Sequence, residues 1–123
     1  MPADQYSYKP TDEVRTFEDQ VVHTANNIVW LSSSYLDGGT FEKETPTGKD
    51  ACIDYLTRAL AFAKSAQENL DLSSLDDEVD FFAGPMRKRR ILFLLNDHLT
   101  HHRGQMIVYL RMNGIKPDRY KGW

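Results

Sequence analysis

The stretch LLNDHLTHHRGQMIVYLRMNGIKP, residues 94–117, decides the fold of this 123-residue chain. Its apolar residues recur every three or four positions, which is the spacing of one side of an α-helix. Pro85 suits the start of this helix, and Gly114 with Pro117 suits its end, so we predict a helix over 85–113. Three histidines, at 98, 101 and 102, lie inside it.

Two further helices are predicted upstream. The first begins at Thr11, its N-cap, and ends at Gly38 and Gly39, while the second runs from an N-cap at Thr47 to about Leu70. Both carry apolar stripes at helical spacing: Phe17, Val21, Ile28, Leu31 and Tyr35 in the first, and Cys52, Leu56, Ala59, Ala63, Ala66 and Leu70 in the second.

No segment alternates with period two over any length, so we predict an all-α, single-domain bundle over residues 1–123. The acidic connector DLSSLDDEVDFFAG, residues 71–84, has room for one turn or a brief extended piece. Three helices of this length leave apolar faces uncovered. We therefore expect a second copy of the chain to cover them in a homodimer.

Composition excludes several classes of protein. A net charge of −3 does not suit a nucleic-acid-binding domain, which is basic. The single cysteine, Cys52, excludes an internal disulfide and a cysteine zinc cluster, and we expect it to be a buried, inert thiol. No apolar run is long enough to span a membrane, and the first residues lack the pattern of a signal peptide. The expected location is the cytoplasm.

His98 and His102 share one face of the third helix. Residues four apart lie about 40° apart around the axis and about 6 Å along it, which suits two imidazoles that bind one ion. The spacing alone leaves two interpretations open: a metal site, or a pair of core histidines bonded to each other, to Gln105 or to Tyr109. His101 is about 60° away, at the rim.

A catalytic type of metal site needs a third protein ligand. The only other histidine is His23, in the first helix. Its position about the helix axis favours a surface histidine, although Trp30 shares that face. Leu99 stands where a zinc metalloprotease needs a glutamate, so that class is excluded.

The segment HLTHHRGQMIVYLRMNGIKP, residues 98–117, resembles the signature helix of the DinB-like superfamily of metal-binding bundles, which includes the YfiT-like proteins and shares only its name with a DNA polymerase. The matching positions are His98, then His102-Arg103-Gly104-Gln105, Leu110-Arg111, Gly114 and Pro117. The upstream segment KPTDEVRTFEDQVVHTANN, residues 9–27, is similar to the family segment with the first metal-binding histidine, which corresponds to His23.

This resemblance implies an up-down four-helix bundle, commonly a homodimer, that holds a divalent ion such as zinc or nickel with His23, His98 and His102. Family members usually have a further helix before the KP segment, at which this chain almost begins. That departure favours completion of the bundle by dimerisation or by helix exchange. Members of known activity are often transferases that use a low-molecular-weight thiol, and many others are described as metal-dependent hydrolases.

Three functions remain open at this point. In the first, the protein is a metal-dependent transferase or hydrolase with a small-molecule substrate. No Glu, Asp or Lys is placed as a general base on the histidine face, which favours the thiol transferase, because thiolate chemistry needs a base less than water does. In the second, it is a metal-binding or stress-response scaffold without turnover, and in the third the histidines are structural and bind no metal.

Two other features call for an explanation. The basic run MRKRR, residues 86–90, is either a site for a substrate carboxylate or phosphate, or a solvated face paired with the acidic connector, which is the interpretation we prefer. Gly104 costs about 1 kcal/mol inside a helix. We expect it to be compensated by close packing against another helix or a partner chain.

Overall fold

The computed structural model describes residues 1–120 and confirms the all-α class. The long elements are the helices α1 (Phe17–Tyr35), α2 (Lys49–Glu68) and α3 (Lys88–Met112). The short ones are two 3-10 helices, Ala3–Gln5 and Leu72–Asp76, and two strands, β1 (Glu78–Val79) and β2 (Met86–Arg87). The strands pair antiparallel, Glu78 opposite Arg87. The connector therefore contains both a helical turn and a brief extended piece, where the sequence predicted one or the other.

Helix α1 begins later than predicted, and the start at Thr11 is wrong. Its N-cap is Thr16, whose hydroxyl accepts a hydrogen bond from the backbone of Asp19, while the Asp19 carboxylate accepts from the backbone of Thr16. This reciprocal capping box satisfies two backbone donors that the helix itself leaves free. The next two amides donate to the carbonyls of Tyr8 and Tyr6, at 2.8 and 2.9 Å.

Helix α2 packs closely against α1 through its small side chains. Ala59 and Ala63 are buried, as the stripe predicts, but Tyr55 is also fully buried and was not part of that stripe. The N-cap position falls on Gly48, one residue after the predicted Thr47. Gly48 has a φ of 81°, in the left-handed region, and its amide donates to the Glu18 carboxylate at 2.6 Å.

Helix α3 also packs against α1, so α1 is the central helix of the three. The prediction that α3 starts at Pro85 is wrong by three residues, because Met86 and Arg87 pair with β1 instead. The main core cluster joins the ends of the helices to the connector; it consists of Leu31, Leu36, Leu70, Phe81, Ile91 and Leu95. Within residues 1–120, none of the helices has the length and apolar character needed to cross a membrane.

Candidate metal centre

Three histidines from two helices meet between α1 and α3. His23 comes from α1, and His98 and His102 come from α3. Each offers a ring nitrogen, and these three atoms all lie within 4.8 Å of one another. His102 is 4% exposed and the other two are half-buried. His23 is therefore not the surface histidine that its position about the helix axis predicts: its ring lies beside those of His98 and His102, on the side of α1 that faces α3.

A glutamine on α1 fixes the orientation of the His102 ring. Nδ1 of His102 lies 2.7 Å from Oε1 of Gln20, which is itself 3% exposed. An amide oxygen only accepts hydrogen bonds, so Nδ1 carries the proton and Nε2 keeps its lone pair. The amide of Gln20 is held in turn, because its Nε2 donates to Oε1 of Gln105 at 2.7 Å.

The lone pair of His102 points at a second imidazole nitrogen. Nε2 of His98 is 3.2 Å from Nε2 of His102. That separation matches the roughly 3.3 Å expected between two nitrogens bound at about 2.0–2.1 Å to one tetrahedral zinc ion. Nδ1 of His98 is buried without a hydrogen-bond partner in the part of the chain that the structure describes. The same 3.2 Å also allows one hydrogen bond between the two rings, which is the other interpretation that the sequence left open. The three ring nitrogens together fit the donor set of a divalent cation.

The surroundings keep all three imidazoles neutral. Burial is the largest cause that lowers the pKa of each ring, and it lowers the pKa of His102 to about 4, with further contributions from His98, His23, His101 and Arg15. A neutral imidazole is the form that binds metal ions. At neutral pH the three rings are thus ready to act as ligands without losing a proton first.

His101 lies outside this cluster, as its position on the helix predicts. Its side chain is exposed, and its Nε2 is 2.8 Å from the Gln105 amide nitrogen. Gln105 therefore connects Gln20 to His101 at the rim. Sequence reasoning considered Gln105 but missed Gln20, whose signal was its position three residues before His23 on the same helix face.

No carboxylate joins the cluster among residues 1–120. The charged group that acts on all three rings is the guanidinium of Arg15, which lowers their pKa values further. Three neutral ligands would leave a bound divalent ion with its full double charge. Such a site favours an anionic ligand, for example a thiolate, at an open position.

The basic run is largely paired with acidic residues, of which Asp76 belongs to the connector, as predicted, and Asp37 does not. Arg87 and Arg89 both bond to Asp76, at 3.3 and 2.6 Å, and Lys88 bonds to Asp37 at 2.6 Å. Arg90 is the exception: it makes no ion pair within residues 1–120.

Comparison with known proteins agrees with this architecture. The model of the DinB family matches residues 1–122. The chain is 28% identical over 120 residues to the uncharacterized protein YjoA of Bacillus subtilis, covering 90% of this chain and 75% of that protein.

Two solved structures share the fold. A DinB-like protein from Bacillus subtilis, YjoA, superposes with a TM-score of 0.80 at 24% identity, covering 97% of this chain and 83% of that chain. A DinB-like protein from Bacillus cereus gives a TM-score of 0.80 at 25% identity, covering 98% and 83%.

Proposed function

This chain belongs to the DinB family, and we propose that it binds one divalent metal ion through His23, His98 and His102 and is a metal-dependent transferase that uses a low-molecular-weight thiol. Zinc and nickel are the ions that we favour. The observation that carries the proposal is the convergence of the three ring nitrogens, all within 4.8 Å of one another, with His102 held in the ligand tautomer by Gln20.

Each residue of the site has one proposed role. His23, His98 and His102 would hold the ion, and Gln20 would keep His102 oriented. A divalent ion in such a site lowers the pKa of a bound thiol or water, so that either can react as a nucleophile near neutral pH. The guanidinium of Arg15 adds positive charge that favours an anionic nucleophile.

The absence of a carboxylate from the cluster supports the transferase over a hydrolase. Water chemistry benefits from a general base more than thiolate chemistry does, and in residues 1–120 no Asp or Glu is close enough to join the three histidines. A thiol loses its proton far more readily than water does. The thiol is therefore the nucleophile that this set of side chains suits.

Metal binding is tested by elemental analysis of the purified protein. We expect about one equivalent of zinc or nickel in the wild type and none in the double variant His98→Ala, His102→Ala. The matched control is His101→Ala, which removes a neighbouring histidine outside the cluster and should keep the metal. Equal metal in the wild type and the double variant would contradict the site.

Catalysis is tested separately, by thiol consumption with a panel of electrophiles. The metal-loaded wild type should consume the thiol, and His102→Ala should not. A metal-loaded protein that turns over no member of the panel would instead support the second candidate, a metal-binding scaffold without catalysis.

We further propose that the active species is a homodimer. A cleft between α2 and α3 is floored by Ile28 of α1 and walled by Leu60, Leu95 and Leu99. Leu60 is 43% exposed at this cleft. A helix of a second copy laid on these side chains would remove them from water. The mass of the protein in solution, by light scattering, tests this directly.

A further inference from the structure

A second feature adjoins the three histidines: a cavity of about 290 Å³. On the α3 side it is lined by His98, Leu94 and Arg90, which are spaced four residues apart. Residues four apart lie on nearly the same side of a helix. The cavity therefore starts at a proposed metal ligand and follows α3 toward its N-terminus.

Helix α1 lines the same cavity with Asn27 and Trp30. They follow His23 by four and seven residues, so they continue the helix face that carries this histidine. The two faces that form the histidine cluster thus also form the cavity beside it. A molecule in the cavity would have one end at His98.

One wall of the cavity is aromatic. The ring of Trp30 lies 5.8 Å from that of Phe81 and 6.0 Å from that of Phe82, and the two phenylalanine rings are 4.5 Å apart, measured between centroids. Phe82 is 81% exposed. A large ring left in water beside a cavity is typical of a binding surface rather than of a core.

One cation stands at the far end. Arg90 lines the cavity and makes no ion pair within residues 1–120, although its neighbours Arg87, Lys88 and Arg89 all do. Eight residues separate it from His98, which is about 12 Å along a helix. Apart from Asn27, the side chains between the two ends are apolar. A guanidinium without an ion pair in residues 1–120 lies at one end, and an imidazole of the cluster lies at the other.

We propose that this cavity binds a small aromatic carboxylate, with its ring against Trp30 and Phe82 and its carboxylate on Arg90. A planar guanidinium matches a carboxylate with two parallel hydrogen bonds, and aromatic walls suit a flat apolar body. This inference rests on the proposed function, because the aromatic carboxylate would be the electrophilic substrate of the proposed transferase. The other end of that substrate would lie at His98. The binding itself needs no metal.

The test measures binding rather than turnover. Chelator-treated, 15N-labelled protein is titrated with cinnamate and with its neutral analogue cinnamamide, and the indole N–H signal of Trp30, assigned with Trp30→Phe, is followed by NMR. Cinnamate should shift this signal and bind about fivefold more tightly than cinnamamide, the size expected of a solvent-accessible charge pair. Arg90→Gln should abolish that preference. The matched control Arg89→Gln, in the same helical turn but paired with Asp76, should keep it.

Several outcomes would overturn the proposal. Equal binding of cinnamate and cinnamamide, or a preference that survives Arg90→Gln, would remove Arg90 as the carboxylate site. Cinnamate that binds only to metal-loaded protein, with or without Arg90, would be a ligand of the ion itself. A Trp30 signal that moves on dilution of the protein alone would show that a second copy covers the cavity.

Failure of the proposed function gives a different result. If the wild type holds no metal and consumes no thiol, yet cinnamate still depends on Arg90, then the cavity is a carboxylate site and the transferase proposal is wrong. The variant His102→Ala, which should lose metal, is expected to keep the preference for cinnamate.

Discussion

Gln20 on α1 holds His102 on α3 through a 2.7 Å contact between Oε1 of the amide and Nδ1 of the ring, across 82 residues of sequence. Both side chains are almost fully buried. The contact therefore does two things at once: it joins the two helices that carry the histidines, and it leaves Nε2 of His102 as the atom that faces the cluster. Gln20 is a positioning residue, since it acts through His102.

Replacing Gln20 by leucine should weaken metal binding about 10- to 100-fold, the usual effect of removing the partner that orients a ligand histidine. The buried Nδ1–H of His102 would lose its acceptor, so the metal-free protein should also lose about 1–3 kcal/mol of unfolding free energy. Competition with a chelator measures the first quantity, and urea unfolding measures the second.

Two variants make this prediction specific. Gln20→Glu keeps an oxygen acceptor and should restore most of the metal affinity. Gln67→Leu makes the same change on the exposed side of α2, beside the cleft proposed for the dimer, and should leave the metal affinity unchanged. If Gln20→Leu lowers stability but leaves the metal affinity of the folded protein unchanged, Gln20 has a structural role only.

The metal-free protein should become less stable as the pH falls from about 6.5 to 4. An unfolded histidine has a pKa near 6.5, whereas burial lowers the pKa of folded His102 to about 4. Between these values the unfolded state binds the extra proton, so the free energy of unfolding rises with pH. The part due to His102 is at most about 3 kcal/mol, at 1.36 kcal/mol per unit of pKa.

Urea unfolding of chelator-treated protein from pH 4 to pH 8 measures this dependence. His102→Leu should remove a large part of the slope between pH 4 and 6.5, and subtraction of its curve cancels the carboxylates that titrate at the acid end. His101→Leu, at an exposed position, is the control and should change the slope little. Identical slopes in wild type and His102→Leu would mean that the ring is not held neutral in the folded protein.

Sequence spacing predicted the parts of this molecule that depend on one helix at a time. The face shared by His98 and His102, and the buried stripe that contains Ala59 and Ala63, follow from the helical repeat alone. The position of His23 does not, because it depends on how α1 is rotated against α3. His23 was a candidate because it is the only histidine outside α3, and the resemblance to a family outweighed its unfavourable position on the helix.

Gln20 and Arg90 were harder to foresee for the same reason. The role of Gln20 is a contact across 82 residues. Its position three residues before His23 indicates the helix face that it shares but not the partner that it contacts. Arg90 belongs to a run of four cations. Which of the four lacks an acidic partner depends on the positions of Asp76 in the connector and of Asp37 just after α1. Packing between elements, rather than the pattern within one, decides both.

The start of α1 gives a test that separates two threonines. Thr16→Ala should cost about 1 kcal/mol of unfolding free energy, because the helix loses the hydroxyl that accepts from the Asp19 amide. Thr11→Ala, at an exposed position before the helix, should change stability by less than about 0.5 kcal/mol. Urea unfolding of the two variants measures the difference, and equal losses would mean that the helix extends back to Thr11.

A substitution at Gly104 tests both the location of the proposed dimer contact and the stability of the protein. Within the described chain, a Cβ added at this position has no neighbour within 4 Å, so close packing inside the protomer does not explain the glycine. If the position is open to water, Gly104→Ala should stabilise the protein by about 0.5–1 kcal/mol, because alanine loses less conformational entropy in a helix. If the second copy packs on Gly104, the added methyl group should instead weaken the dimer. Urea unfolding together with light scattering distinguishes these results. A stabilised variant with unchanged mass places the proposed dimer contact elsewhere, at the cleft between α2 and α3. A variant with a lower mass places the contact on α3 at Gly104.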